Sequence, residues 1–351
     1  MPLSIITGDL TQVRADALVN AANTWLSEGG GVCGALFQKA GREQMRAACQ
    51  QIGRCEVGQA VITLAFDLPA RYVIHAVGPM YQDGRQGEEA QLESAYRSAL
   101  SLAGKHGLRS VAFPLISSGI YGYPKQEALA VAVRGIRAFL DAQEDELDVT
   151  LVLFNQADAQ LDPALRRRLS ELIEGAQLDE ARRLHRMAET RRNARYLRIL
   201  AAEETLDSRG FELEAPDVMP AMLPDPGSGL DALIGRMDEG FSTSLLKLID
   251  KKGLTDAQVY KKANLDRKHF SKIRSNPHYA PGKLTVLALI IALELRRDEA
   301  EDLLSRAGFA LSPSHKTDII VGHFIDQRVY DIDTINTALF AFDQALLGAK
   351  V

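Results

Sequence analysis

Across residues 1–175, short apolar runs alternate with helical stretches, and three of those runs end in turns built from glycine, serine and asparagine. The strand-like runs are Leu3–Thr7, Ala17–Val19, Ala60–Thr63, Tyr72–Ala76, Ser110–Phe113 and Val149–Phe154. Helical signals cover Gly34–Gln51, Gln91–Lys105, Lys125–Ala142 and Pro163–Glu174. This alternation predicts an α/β fold with a largely parallel sheet between helices. Ligands of such sheets bind beyond the carboxyl ends of the strands, where all three turns fall. Glycine lets backbone N–H groups come close to a phosphate, because it has no Cβ and tolerates positive φ. The residues point to a nucleotide-diphosphate pocket without naming the nucleotide.

At 351 residues the chain is too long for one modest core, so two domains are expected. A formal charge of −5 excludes a uniformly basic nucleic-acid binder. Cys33, Cys49 and Cys55 show neither CxxC spacing nor even pairing, which fits free thiols in a reducing cytoplasm. The start MPLSIITGDL shows no leader pattern, and the apolar run 284–295 is too short to span a bilayer. No membrane association and no zinc site are expected, since the Cys and His spacings match no ligand pattern.

The predicted organisation is an α/β domain over 1–176, a linker over 177–229 and an all-helical domain over 230–351. Within the linker, 178–206 reads as a charged, solvated helix. Residues 207–229 carry Pro216, Pro220, Pro224 and Pro226 and read as a flexible loop.

GDL at 8–10, VNAAN at 19–23, GGGV at 29–32 and SSGIYGYP at 117–124 together resemble the macrodomain signature, in order and at suitable spacing. The resemblance covers residues 1–175. It implies a three-layer α/β/α sandwich that binds ADP-ribose, in a family where many members hydrolyse it from proteins or small molecules. ADP-ribose is then the ligand, an ADP-ribosylated macromolecule the partner, and no cofactor is expected.

The resemblance also assigns roles. Asp9, between Gly8 and Leu10, accepts a hydrogen bond from the adenine amine. Phe154 stacks on adenine or packs in the core. Gly29, Gly30, Gly31 and Val32, with Cys33, line the distal ribose and one side of the diphosphate. Ser117, Ser118, Gly119, Ile120 and Tyr121 close over the other side. Asn23 bonds the distal ribose, while Asn20, in the same turn with Ala22, braces the loop; for both asparagines plain turn chemistry is the alternative. Asn23 and Gly31 are the candidate catalytic positions.

One departure from the family pattern matters. The best-understood hydrolytic branch carries an Asp directly after GGGV and a His a few positions on, and here Cys33 and Phe37 stand there. Neither does the work of a carboxylate base. Two readings follow: a mono-ADP-ribosyl hydrolase (protein-linked or O-acetyl-ADP-ribose) whose water is activated by the ligand diphosphate, or a reader that binds without cleaving. Cys33 is a nucleophile or a small filler, with filler the commoner fate. His75 reads as a satisfied core histidine.

Residues 241–309 read as about five short helices resembling the helix-turn-helix of phage-repressor-like regulators. Asn264–Leu265 forms the turn, and Asp266 caps a helix carrying Arg267, Lys268, His269, Lys272 and Arg274. Residues 245–297 hold twelve Lys or Arg against four Asp or Glu. That local charge suits phosphate contacts. A helical bundle of this size serves equally as a protein-binding module, so DNA and a protein partner both stand, as does a DNA-binding regulator with an ADP-ribose-type effector. The tail 319–347 completes the bundle or makes a homodimer contact.

Overall fold

The computed structural model describes residues 3–143, 147–155, 161–207, 239–277 and 279–348. Its sheet has six strands: β1 (Leu3–Thr7), β2 (Ala17–Ala22), β3 (Ala60–Leu64), β4 (Tyr72–Val77), β5 (Ser110–Pro114) and β6 (Asp148–Leu153). Their order is β1-β6-β5-β2-β4-β3. Only β3 runs antiparallel to its neighbour. Side chains of successive strand residues enter opposite layers, as the pleat requires. On β2, Ala17 and Val19 join one core and Leu18 the other. Helices α1 (Gly31–Ala40) and α2 (Arg42–Ile52) bury Phe37 and Met45 on one face; α3 (Glu88–Lys105) and α4 (Lys125–Ala142) bury Tyr96 and Ile136 on the other.

Two helical segments divide differently from expectation. The single helix predicted over 34–51 is two, because Gly41 takes φ +91°, which breaks the ladder between α1 and α2. The helices predicted over 163–174 and 178–206 are one, α5 (Pro163–Asp207): no proline intervenes, and Gly175 between them takes no positive φ. The loop predicted over 207–229 lies outside the described residues beyond Asp207.

The C-terminal part holds α6 (Phe241–Lys251), α7 (Asp256–Lys262), α8 (Arg267–Ser275), α9 (Lys283–Ala292), α10 (Arg297–Arg306), α11 (Lys316–Asp326) and α12 (Ile332–Ala341). Thr255 and Gln258 form a reciprocal capping box at α7, and Asp266 caps α8 through the His269 N–H. This bundle packs directly on the α/β domain. The Arg137 guanidinium on α4 grips the Asp333 carboxylate on α12 with two 2.8 Å bonds. Lys261 Nζ donates to the carbonyls of Asp141 and Gln143 at the end of α4, where the helix dipole favours a cation. No helix of the described residues is long and apolar enough to cross a membrane.

Candidate functional site

Four adjacent strands, β1-β6-β5-β2, present their carboxyl ends along one edge of the sheet. Three strand spacings make that edge about 14 Å long. At its β1 end, Gly8 N–H bonds the Leu153 carbonyl at 2.9 Å, joining the two strand exits. Asp9 is exposed, and its Oδ1 accepts from Thr11 N and Oγ1 at 2.9 and 2.8 Å. Leu10 is buried beneath it. Phe154 is 84% exposed beside this end, so it does not pack in the core.

Toward β2, α1 begins at Gly31 with Gly30 as an N-cap that offers no side-chain acceptor. The N–H groups of Gly31, Val32 and Cys33 therefore lack intrahelical partners and sit at the positive end of the helix dipole. The loop after β5 faces them: a Cβ on Gly30 would lie 2.9 Å from Ile120 Cδ1. In that loop the carbonyls turn inward. Ser117 O accepts from Tyr123 N, Gly119 O from Gly122 N, and Tyr121 O from Tyr81 N. Ser118 N and Oγ both donate to Leu115 O. The N–H groups of Gly119, Ile120 and Tyr121 make no bond among the described residues. Bare backbone donors thus lie on two segments that approach each other at Gly30 and Ile120, an arrangement suited to a diphosphate.

The asparagines differ in their surroundings. Asn23 closes its own turn, with Oδ1 accepting from Trp25 N, Ser27 N and Ser27 Oγ at 3.1 Å and Nδ2 donating to Ser27 O at 2.8 Å. One Nδ2 proton is left for a ligand. Asn20 and Ala22 are buried. Asn20 Nδ2 lies 3.1 Å from His75 Nδ1 and 3.6 Å from Cys33 Sγ, and its Oδ1 has no partner. His75 Nε2 is 3.0 Å from Thr63 Oγ1, and burial lowers the imidazole to about 4. It is neutral, a core histidine. Burial pushes the Cys33 thiol up, against opposing bonds from the Gly29 backbone and the Asn20 amide. A thiol so held is a poor nucleophile. Phe37 is sealed in the core.

Two supports of the glycine turn escaped the sequence reading. A Cβ on Gly34 would meet the Gly29 carbonyl oxygen at 2.7 Å, so the turn closes only over glycine. Glu28 anchors the turn to α2 through Arg42 at 3.0 Å and Arg46 at 2.7 Å. The spacing G-V-C-G was the available signal for the first; the second needed α1 and α2 to fold side by side.

On α8, Phe270 and Ile273 are buried, and Arg267, Lys268 and Lys272 are exposed with no ion pair among the described residues. The other two basic candidates are engaged: Arg274 pairs with Asp256, and His269 Nε2 lies 3.3 Å from Tyr279 OH.

The Macro domain family matches residues 19–132. A Macro domain-containing protein of Mesorhizobium japonicum is 46% identical over 159 residues, covering 45% of this chain and 90% of that protein. A Klebsiella pneumoniae protein named O-acetyl-ADP-ribose deacetylase is also 46% identical over 159 residues, covering 44% of this chain and 90% of its own length. The Oceanobacillus iheyensis macrodomain solved with ADP shares 41% identity over 44% of this chain and 84% of that one, with a TM-score of 0.41. Through its N-terminal α/β half, the chain belongs to the Macro domain family.

Proposed function

We propose that the chain binds ADP-ribose along the β1-β6-β5-β2 edge and hydrolyses the bond at its distal ribose, releasing mono-ADP-ribose from a modified macromolecule. The observation that carries this reading is the two sets of bare backbone donors, at the α1 N-terminus and on the 119–121 loop, on segments that meet at Gly30 and Ile120. Neutral donors in fixed positions hold a diphosphate without a reorganisation cost. Asp9 and Phe154 offer an acceptor and an exposed ring to adenine at the β1 end, leaving the distal ribose near Asn23 and Gly31.

No side chain at the glycine turn supplies a base. Cys33 is held as a thiol, Phe37 is buried, and Glu28 is neutralised by two arginines. The water is activated by a phosphate oxygen of the substrate itself, with Gly31 and Asn23 fixing its line of attack. Relatives named O-acetyl-ADP-ribose deacetylase support an acyl-ester substrate.

The test is release of ADP-ribose from O-acetyl-ADP-ribose and from glutamate-modified protein by wild type and Asn23→Ala, with calorimetric titration of ADP-ribose. Turnover that falls in the variant supports hydrolysis. Tight wild-type binding without turnover on either substrate makes the protein a reader.

A second reading concerns the helical domain, which in this proposal carries the pocket to DNA. On α8 the stripe opposite Phe270 and Ile273 is Lys268, Ser271, Lys272 and Ser275, all exposed. Two unpaired cations flanked by small hydroxyls fit a groove of DNA, and the stripe lacks the large apolar anchors of a protein interface. Duplex binding that keeps its affinity and salt slope in Lys268→Ala/Lys272→Ala would overturn it.

A further inference from the structure

Trp25 is the only tryptophan of the chain and is 66% exposed, on the turn that joins Asn23 to the glycine loop. Its position is built, not incidental. Its N–H is held by Asn23 Oδ1 at 3.1 Å, and Leu26 beside it is buried at φ +53°. The Arg54 guanidinium lies over the indole at 4.8 Å, and the neighbouring Cys55 N–H bonds the Thr24 carbonyl at 2.9 Å. A rigid aromatic face stands at the β2 end of the cleft, beyond the place where the distal ribose lies in the proposal above.

From this we infer that Trp25 and Arg54 form the acceptor-side subsite, which engages the polypeptide that bears the ADP-ribose. The inference rests on that binding reading. A free small ester ends before this platform, whereas a modified protein must cross it. The charge around the platform favours polypeptide over nucleic acid. Arg42 and Arg46 pair with Glu28, Arg46 also with Glu43, and Arg54 with Glu56. A phosphate backbone would meet cations already neutralised and three carboxylates. Trp is also the side chain most favoured as an interface anchor, giving large area at small entropy cost.

The experiment compares kcat/KM of the full chain on O-acetyl-ADP-ribose and on glutamate-modified protein, two substrates that both carry an acyl ester on the distal ribose. Trp25→Ala is expected to lose about tenfold on the protein and less than twofold on the small ester, with Trp25→Phe restoring most of the loss. The intrinsic fluorescence of Trp25 in wild type should respond to modified protein and not to ADP-ribose alone. Equal losses on both substrates, or none on either, overturn the inference. So does a loss confined to ADP-ribosylated DNA. If wild type cleaves neither substrate, the hydrolytic reading fails, and the same comparison is made on dissociation constants: weakening for modified protein alone supports the subsite, and equal weakening or none overturns it.

Discussion

The Asn264 carboxamide pairs with both backbone groups of Leu3, accepting from its N–H at 2.8 Å and donating to its C=O at 2.9 Å. Leu3 opens β1, the edge strand of the sheet, and an exposed edge is a template for unwanted pairing. One side chain from the α7–α8 turn thus takes the place of a neighbouring strand. Asn264 is fully buried at φ +56°, a conformation asparagine tolerates better than most residues. The turn of the helix-turn-helix candidate is therefore an inter-domain lock, while the outer face of α8 stays exposed.

Asn264→Ala should lower stability by about 2–4 kcal/mol, since it leaves two buried Leu3 groups unpaired. Asn264→Asp should do little better, because it can accept from Leu3 N–H but cannot donate to the carbonyl. Urea unfolding of the full chain measures both. Wild-type stability in either variant would mean the lock carries no weight.

Arg137 and Asp333 should be coupled across the same interface. The pair is bidentate and its side chains are only 14% and 16% exposed, so screening by solvent is limited. A double-mutant cycle with Arg137→Ala and Asp333→Ala is expected to give a coupling of about 1–3 kcal/mol. Additive effects would show that the domains dock without it.

Gly34→Ala should weaken ADP-ribose binding at least about tenfold, with little change in unfolding temperature. The new methyl meets the Gly29 carbonyl, which cannot move without opening the donor turn. Gly30→Ala should be milder, because its methyl meets only the flexible end of Ile120. Calorimetry orders the two, and a reversed order contradicts the geometry.

Acid should destabilise the fold in two stages. The imidazole of His75 is lowered from 6.5 to about 4 by burial, so below pH 6.5 the unfolded chain takes up a proton that the folded chain refuses. Stability then falls on the order of 3 kcal/mol as pH drops to about 4, at about 1.4 kcal/mol per pH unit. Glu88 adds a later stage. Its own backbone N–H and those of Gln86, Gln82 and Asp83 hold it down to about 2, so its stabilisation, present in full above pH 4.5, is lost as pH falls from there through about 2. Urea midpoints of wild type and His75→Phe between pH 8 and 4 should show a flatter profile in the variant, whatever its starting stability.

The sheet was legible because each strand is a short apolar run with its own turn signal, and five of six strands begin at the predicted residue. Helix α4 matches its predicted span for the same local reason. The break between α1 and α2 was missed because Gly41 reads as a tolerated helical glycine until its positive φ is seen. At the site, the glycine turns were readable from composition, whereas the state of Asn23 was not. Its bonds to Ser27 depend on how the turn closes.

The features readable along the chain are local: which segments form strands and helices, and where glycine- and serine-rich turns follow strand ends. These follow from hydrophobic period, capping residues and glycine, all read within a few positions. Contacts that join distant residues come from packing alone. Leu3 meets Asn264, Arg137 meets Asp333, and Ile120 comes up against Gly30 at the start of α1. Such pairings are set by how layers pack in three dimensions, where a contact across 261 residues leaves no periodic trace in the chain.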